Sequence, residues 1–270
     1  MARPFPAEHS ETLTLIQRLL AAAGAITQAH FRCDEPPQNK SDAGFDPVTR
    51  ADREAETAIR EILTLERGDD AVQGEEHGLQ RGTSGWTWYL DPIDGTRAYI
   101  AGLTSWTTLI GLADPSGASV YGAIAAPALG EVYLGWPGGA CLITPAETRP
   151  LHVSDRDDLR QARASTTDPF LFTPAEEGAW THLRATAQMT RYGLDAYAYA
   201  RLADGGLDLV VESGLLPWDK AALIPVVRGA GGLACDWRGV PATPVGGQLL
   251  CCAGGGIQAQ ALIALRRSAE

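Results

Sequence analysis

Apolar residues along this chain recur with two different periods, and the change from one to the other marks out its organisation. Leu13, Ile16, Leu20 and Ala23 fall three or four apart, the spacing of one helix face, and predict an amphipathic helix from about Glu8 to Phe31. The stretch Pro36 to Gly44 is turn-rich. Beyond it Ala51, Ala55, Ala58, Ile59 and Ile62 repeat the helical stripe and predict a second helix over Arg50 to Leu65. From Val72 the texture becomes short apolar runs broken by glycine and proline: Trp86 to Leu90, Thr107 to Leu112, Val120 to Ala125 and Val132 to Trp136. Runs of this length with short connections predict strands, mostly antiparallel.

The stretch Ala140 to Asp158 carries scattered proline and charge and reads as a seam, dividing one compact unit into halves at 1–145 and 146–270. After it strand and helix signals alternate. Strands are expected at Ala164 to Thr167 and Leu207 to Glu212, and helices at Pro174 to Ala187, Lys220 to Arg228 and Ile257 to Arg266. The order predicts a layered α/β (α+β) protein, and 270 residues suffice to bury a full core.

Charge narrows the partners. Lys and Arg number 22 against 33 Asp and Glu, a net −11, which disfavours nucleic acid as a partner. A small phosphorylated substrate remains allowed, because bound cations can invert the local field. The five cysteines, Cys33, Cys141, Cys235, Cys251 and Cys252, fit no common disulfide or zinc spacing and read mostly as buried thiols. No apolar run reaches membrane-spanning length and Met1 to Phe5 has no signal-peptide character, so the expectation is a cytoplasmic protein without a membrane partner.

Candidate chemistry is concentrated in Leu90-Asp91-Pro92-Ile93-Asp94-Gly95-Thr96, where an apolar strand runs into two carboxylates, a glycine and a hydroxyl. Pro92 would stiffen a turn that aims Asp91 and Asp94 at one point. Gly95 lets a ligand approach the backbone, and the N–H groups of Gly95 and Thr96 would seat an anion if a helix begins there. The same residues also compose ordinary surface turns. A second acidic strand end, Gly74-Glu75-Glu76-His77-Gly78, changes the weighting, though adjacent glutamates commonly just face solvent. Asp219, in Leu216-Pro217-Trp218-Asp219-Lys220, opens a helix and could cap it, ligate a metal, or do both. Oxygen donors without an ordered His/Cys set suit Mg²⁺ rather than zinc.

Together these motifs resemble the inositol monophosphatase superfamily: the Glu75-Glu76 pair, then Asp91 to Thr96, then Trp218-Asp219 followed by Gly229-Ala230-Gly231-Gly232, with similarity from Lys40 to Gly239. The resemblance implies an αβαβα sandwich, Mg²⁺ dependence with two or three ions per site, frequent lithium sensitivity and usually a homodimer. Within the superfamily the chain looks most like bacterial histidinol-phosphatases, on Thr190 to Tyr199 and Asp208 to Leu215, with Leu194 standing where that group usually has glycine.

Carried over by motif, Glu75, Asp91 and the carbonyl of Ile93 would hold a first metal, and Asp91, Asp94 and Asp219 a second. Asp52, in Thr49-Arg50-Ala51-Asp52, would pair with Thr96 to orient the attacking water. Gly95 and Thr96 would bind phosphate oxygens, and Lys40, at a family position near the site, could add positive charge or simply be solvated. The implied reaction is direct hydrolysis of a phosphomonoester, without the aspartyl-phosphate that Asp-x-Asp-Gly-Thr phosphatases form. Asp195 and Glu212 are the candidates for recognising a cationic alcohol such as histidinol; each also has a structural alternative, Asp195 capping a helix and Glu212 capping Ser213-Gly214. No histidine is assigned a catalytic role, although His77 adjoins the glutamates. Inositol monophosphatase and 3'(2'),5'-bisphosphate nucleotidase remain alternatives, as does a cation-binding regulatory protein without catalysis.

Overall fold

Each of these stripes and runs coincides with an element of the computed structural model, which describes residues 5–33, 38–39 and 47–269. In chain order come α1 (Ser10–His30), β1 (Gln38–Asn39), β2 (Pro47–Val48), α2 (Arg50–Glu66), β3 (Ala71–Gly74), β4 (Gly78–Gln80), β5 (Thr87–Asp94) and α3 (Thr96–Ile100). They are followed by β6 (Thr107–Ala113), β7 (Ser119–Ala126), β8 (Glu131–Trp136), β9 (Gly139–Ile143), β10 (Thr148–Pro150), β11 (Arg163–Ser165), α4 (Pro174–Thr186) and β12 (Met189–Arg191). The chain closes with α5 (Tyr197–Ala203), β13 (Leu209–Leu215), α6 (Pro217–Gly229), β14 (Leu233–Cys235), β15 (Gly247–Cys252) and α7 (Gly255–Leu265).

Two mixed sheets carry the fold. The larger has the order β10-β9-β8-β7-β6-β5-β3-β4, antiparallel throughout except for β3 beside β5; the smaller is β12-β11-β13-β15-β14. The apolar stripes of α1 and α2 bury Leu13, Ile16, Leu19, Ile59 and Leu63 against Trp88, Leu90 and Ile110 on one face of the large sheet. Burial of each such side chain contributes roughly 1.5–3 kcal/mol. Helices α5 and α6 fill the space between the sheets, and α4 and α7 cover the outer face of the small one around Trp180 and Trp237. The layers are therefore αβαβα, as the resemblance implied. Among the described residues no helix is long and apolar enough to cross a membrane.

Glycines set how closely α6 approaches. Gly111, Gly122 and Gly135 lie opposite one another on β6, β7 and β8. A Cβ on any of them would collide with the backbone of Ala221, Ala222 or Pro225 in α6. This bare stripe lets a helix from the second half of the chain lie directly on the first sheet, which fixes where its N-terminus, with Asp219, arrives.

Candidate active site

Where β5 ends, strict strand alternation would send Asp91 and Asp94 to opposite faces, since they are an odd number of residues apart. The register resolves this: Asp91 pairs with Leu109 but Asp94 with Thr107, so β5 carries one extra residue at Pro92-Ile93. Such a bulge reverses the facing of the residues beyond it. The spacing of the two acids suggested a tight turn here. The chain is instead a bulged strand, with Pro92, which has no N–H for the ladder, inside the bulge and its carbonyl accepting from Thr108 Oγ1 at 2.8 Å. Both carboxylates consequently line one cavity.

Parallel pairing brings in the next acid. Gly74 lies opposite Leu90, and the N–H of Glu75 donates to the carbonyl of Leu90 at 3.1 Å, so Glu75 leaves β3 beside Asp91. Asp52 of α2 lies behind this lining rather than on it: buried, it accepts from Thr49 N at 2.8 Å and from the Thr49 hydroxyl, and it reaches the site as a charge acting on Asp91. From the far side α6 presents Asp219, its third residue, accepting from Leu216 N at 2.7 Å. Asp219 is thus not the N-cap, which is Leu216, but caps the helix from its third position while lining the cavity. Trp218 beside it is half-buried and lines the same cavity.

The resulting cavity has a volume of about 440 Å³ and is lined by Glu75, Asp91, Ile93, Asp94, Gly95, Thr96, Asp195, Glu212 and Asp219 together with neighbouring residues. Asp91 is 2% exposed. Burial, then the charges of Glu75, Asp94, Asp219 and Asp52, push its carboxyl well above the ordinary range. Burial, Asp195 and Asp219 do the same to Asp94, against the opposing pull of Ala196 N, which donates to it at 2.7 Å, and the Thr107 hydroxyl at 3.2 Å. Asp219 is pushed up to about 7 by burial and by Glu75, against the Leu216 bond that lowers it. Among the described residues no three acidic, histidine or cysteine side chains are already grouped tightly enough to enclose an ion. They ring the cavity as acids whose ionised forms repel one another, and a hard divalent cation is the partner that such an oxygen donor set suits.

Around this ring the structure places the other residues that the sequence singled out. Gly95 takes a left-handed conformation (φ 80°) ahead of α3, and a Cβ there would press on the Asp195 carboxylate. Thr96 Oγ1 donates to the carbonyl of Ile93 at 3.1 Å. Asp195 precedes α5 in a left-handed conformation of its own (φ 48°), and burial pushes it up to about 6 despite Arg97. Non-glycine residues held this way cluster where structure is set for function. Glu212 is buried but does not cap Ser213-Gly214: its carboxylate accepts from Thr167 N at 2.6 Å, Thr167 Oγ1 at 2.9 Å and Thr166 Oγ1 at 3.3 Å. It stands at a second bulge, between Glu212 and Leu215 of β13, and burial pushes it up to about 8. Lys40 lies outside the described residues.

Two further buried side chains, one in the lining and one behind it, are not among the site residues that the sequence singled out. Tyr199 of α5 lines the cavity with its hydroxyl buried and without a hydrogen-bond partner among the described residues. Glu56 of α2 is fully buried one helical turn beyond Asp52. An acid inside an apolar helical stripe is the signal that could have found Glu56; Tyr199 ends the Thr190 to Tyr199 segment, which carried a resemblance but gave this residue no role.

Comparison with known proteins identifies the family. The profile of the inositol monophosphatase family matches residues 8–270. Over 223 residues the chain is 38% identical to the chloroplastic bifunctional phosphatase IMPL2 of Arabidopsis thaliana, covering 82% of this chain and 63% of that protein. It thus spans just under two thirds of that plant relative. It is 34% identical over 230 residues to a histidinol-phosphatase of Chlorobaculum parvum, covering 84% of this chain and 86% of that one. The solved structure of an inositol monophosphatase from Zymomonas mobilis superposes with a TM-score of 0.85 at 35% identity, covering 97% of this chain and all of that one.

Proposed function

The chain belongs to the inositol monophosphatase family, a family of phosphatases, and from that premise we propose that it is a Mg²⁺-dependent phosphomonoesterase acting on a small phosphorylated metabolite, histidinol phosphate first among the candidates. The observation that carries the substrate reading is the second acidic group in the cavity. Beyond the metal-facing set, Asp195 and Glu212 add carboxylates to the lining, and neither is held by a cation close enough to bring its carboxyl down to the ordinary range. Such carboxylates could accept from the hydroxyls of a neutral polyol as well, but an amine and an imidazolium would meet them in the stronger, charge-assisted form on both sides. The histidinol-phosphatase similarity points the same way.

In this reading Glu75, Asp91, Asp94 and Asp219, with the Ile93 carbonyl, would hold Mg²⁺, two or three ions by the family resemblance. When bound, Mg²⁺ supplies Lewis acidity, offsetting charge on the phosphate oxygens and easing deprotonation of water. Asp52 and Thr96 orient the water in line with the phosphorus. The N–H groups of Gly95 and Thr96 meet the phosphate oxygens as donors already fixed in place. Water oxygen bonds to phosphorus as the bond to the substrate's alcohol oxygen breaks, and the alcohol leaves with a proton; no aspartate is phosphorylated.

The test is phosphate release with Mg²⁺ from histidinol phosphate, inositol phosphate, adenosine 3',5'-bisphosphate and fructose bisphosphate side by side. Highest kcat/KM on histidinol phosphate is expected. A preference for inositol phosphate or the bisphosphate would reassign the substrate, and no release from any would favour a cation-binding protein without catalysis.

A further inference from the structure

Glu75 leaves β3 on a turn, Glu75-Glu76-His77, that would need to be held still for its carboxylate to serve as a ligand. The structure shows what holds it. Glu56, fully buried on α2, accepts from the backbone N–H of Glu76 through Oε2 at 2.8 Å and from that of His77 through Oε1 at 3.2 Å. Arg60, one turn further along α2, donates its Nε to Glu56 Oε1 at 2.7 Å and so fixes and neutralises the carboxylate. The His77 ring adds a second tether to α2, at 3.1 Å from Thr57 Oγ1 and 3.2 Å from the Arg53 carbonyl. Room for the carboxylate exists because residue 74 is glycine: a Cβ there would occupy the space of the Glu56 carboxyl group.

We propose that Glu56, seated over Gly74, is a positioning residue that sets the cation affinity of the site by clamping the backbone of the turn that carries Glu75. Asp52 and Glu56 are then successive turns of one helix face with different surroundings, one close enough to Asp91 to raise its carboxyl and one bonded to the backbone of the turn. The inference rests on the reading of Glu75 as a Mg²⁺ ligand. Residues that orient a ligand in this way commonly change metal affinity by about 10- to 100-fold when replaced.

Two substitutions approach the clamp from opposite sides. Glu56→Gln keeps the shape but turns an NH₂ group toward a donor that needs an acceptor. Gly74→Ala leaves Glu56 intact but pushes the flexible end of its side chain off the turn. Thermal denaturation over a Mg²⁺ titration, without substrate, reads the half-saturating concentration, and phosphate release from p-nitrophenyl phosphate reads it a second time. Both variants are expected to raise half-saturation about 10- to 100-fold and to recover most of kcat at saturating Mg²⁺. A merely structural Glu56 would instead lower the melting temperature equally with and without Mg²⁺ and leave half-saturation in place, which would overturn the inference. Should Glu56→Gln fail to fold, Gly74→Ala decides alone, since the three atoms nearest to its added methyl all belong to the Glu56 carboxyl group and none to the backbone. A wild-type protein that ignores Mg²⁺ in both readouts would remove the metal reading itself; a responsive wild type with unmoved variants would remove only the clamp.

Discussion

Asp208 and Asp91 are both buried aspartates at strands facing the middle layer, yet their surroundings are opposite. Asp208, fully buried just before β13, receives Arg163 three times, from N and Nε to Oδ2 and from Nη2 to Oδ1, all at 2.8 Å, and the Ser154 hydroxyl besides. Burial alone would raise its carboxyl, but these bonds hold it below the ordinary range. Asp91 is as deeply buried and meets Glu75, Asp94, Asp219 and Asp52, all of its own sign. A buried acid with a matched arginine is a structural fixture; one surrounded by other acids is a site kept ready for a cation.

The widest separation between the two is expected from removing a single charge at each. Asp91→Asn should reduce Mg²⁺-dependent turnover by at least about 10³-fold, the equivalent of several kcal/mol of transition-state stabilisation. Relief of repulsion should leave its melting temperature in metal-free buffer unchanged or higher. Arg163→Met should do the reverse, costing about 1–3 kcal/mol of stability because buried Asp208 loses the Arg163 guanidinium and keeps only the residue-163 N–H, the Ser154 hydroxyl and the Arg156 guanidinium at 3.9 Å, with turnover per folded molecule retained. Chemical denaturation and a phosphate assay on both variants check this. Earlier melting of metal-free Asp91→Asn, or loss of turnover in folded Arg163→Met, would erase the distinction.

A milder effect is expected from pH. Asp219, Asp195 and Glu212 are raised to about 7, 6 and 8 from ordinary values of 3.8, 3.8 and 4.5, and Asp91 and Asp94 are raised well beyond theirs. The folded protein therefore keeps protons that the unfolded chain has released. The stability these groups contribute is complete below about pH 4 and is lost as pH rises through 6 to 8. Asp208, Asp204 and Glu176, all held low, contribute in the opposite sense, losing their share only as pH falls below about 4. Metal-free protein should accordingly lose stability between about pH 5 and 8, while stabilisation by Mg²⁺ grows over the same interval as the ligands ionise. A flat metal-free profile across that window would sink the account of the acidic ring.

How far the sequence carried this picture differs from feature to feature. Amphipathic α1 and α2 were legible because their periods are long and regular, and Asp91 to Thr96 because acids rarely end an apolar run. Gly247 to Cys252 and Leu233 to Cys235 were not recognised as strands: their apolar residues are buried on both faces, so no alternation remains to read, and the cysteines drew attention to thiol chemistry instead. The facing of Asp91 and Asp94 depends on a bulge that exists only in register with β6, and the seat of α6 on a glycine stripe assembled from three strands. Neither is a local property. Glu56 was marked only as an acid within the apolar stripe of α2, a weak signal beside the many acids that sit at a helix edge.

The smallest and most selective effect should come from Glu212, where the two kinds of buried acid meet. Its carboxylate has good donors in Thr167 and Thr166, as Asp208 has, but no arginine, so burial prevails and the group is raised to about 8. At neutral pH it therefore enters the free cavity largely protonated, and a cationic substrate would draw it into its charged form. In Glu212→Gln that charge is unattainable. A hydrogen bond to a charged group contributes about 1.5–3 kcal/mol, so KM for histidinol phosphate should rise roughly 10- to 100-fold. KM for inositol phosphate and kcat on p-nitrophenyl phosphate should move little, because neither depends on a cationic alcohol. The same substitution should also flatten part of the metal-free stability loss toward pH 8, a change independent of any substrate. If KM rises equally for the cationic and the neutral ester, Glu212 serves only to hold Thr167 in place, and the line between fixture and functional acid has to be drawn on the metal side of the cavity alone.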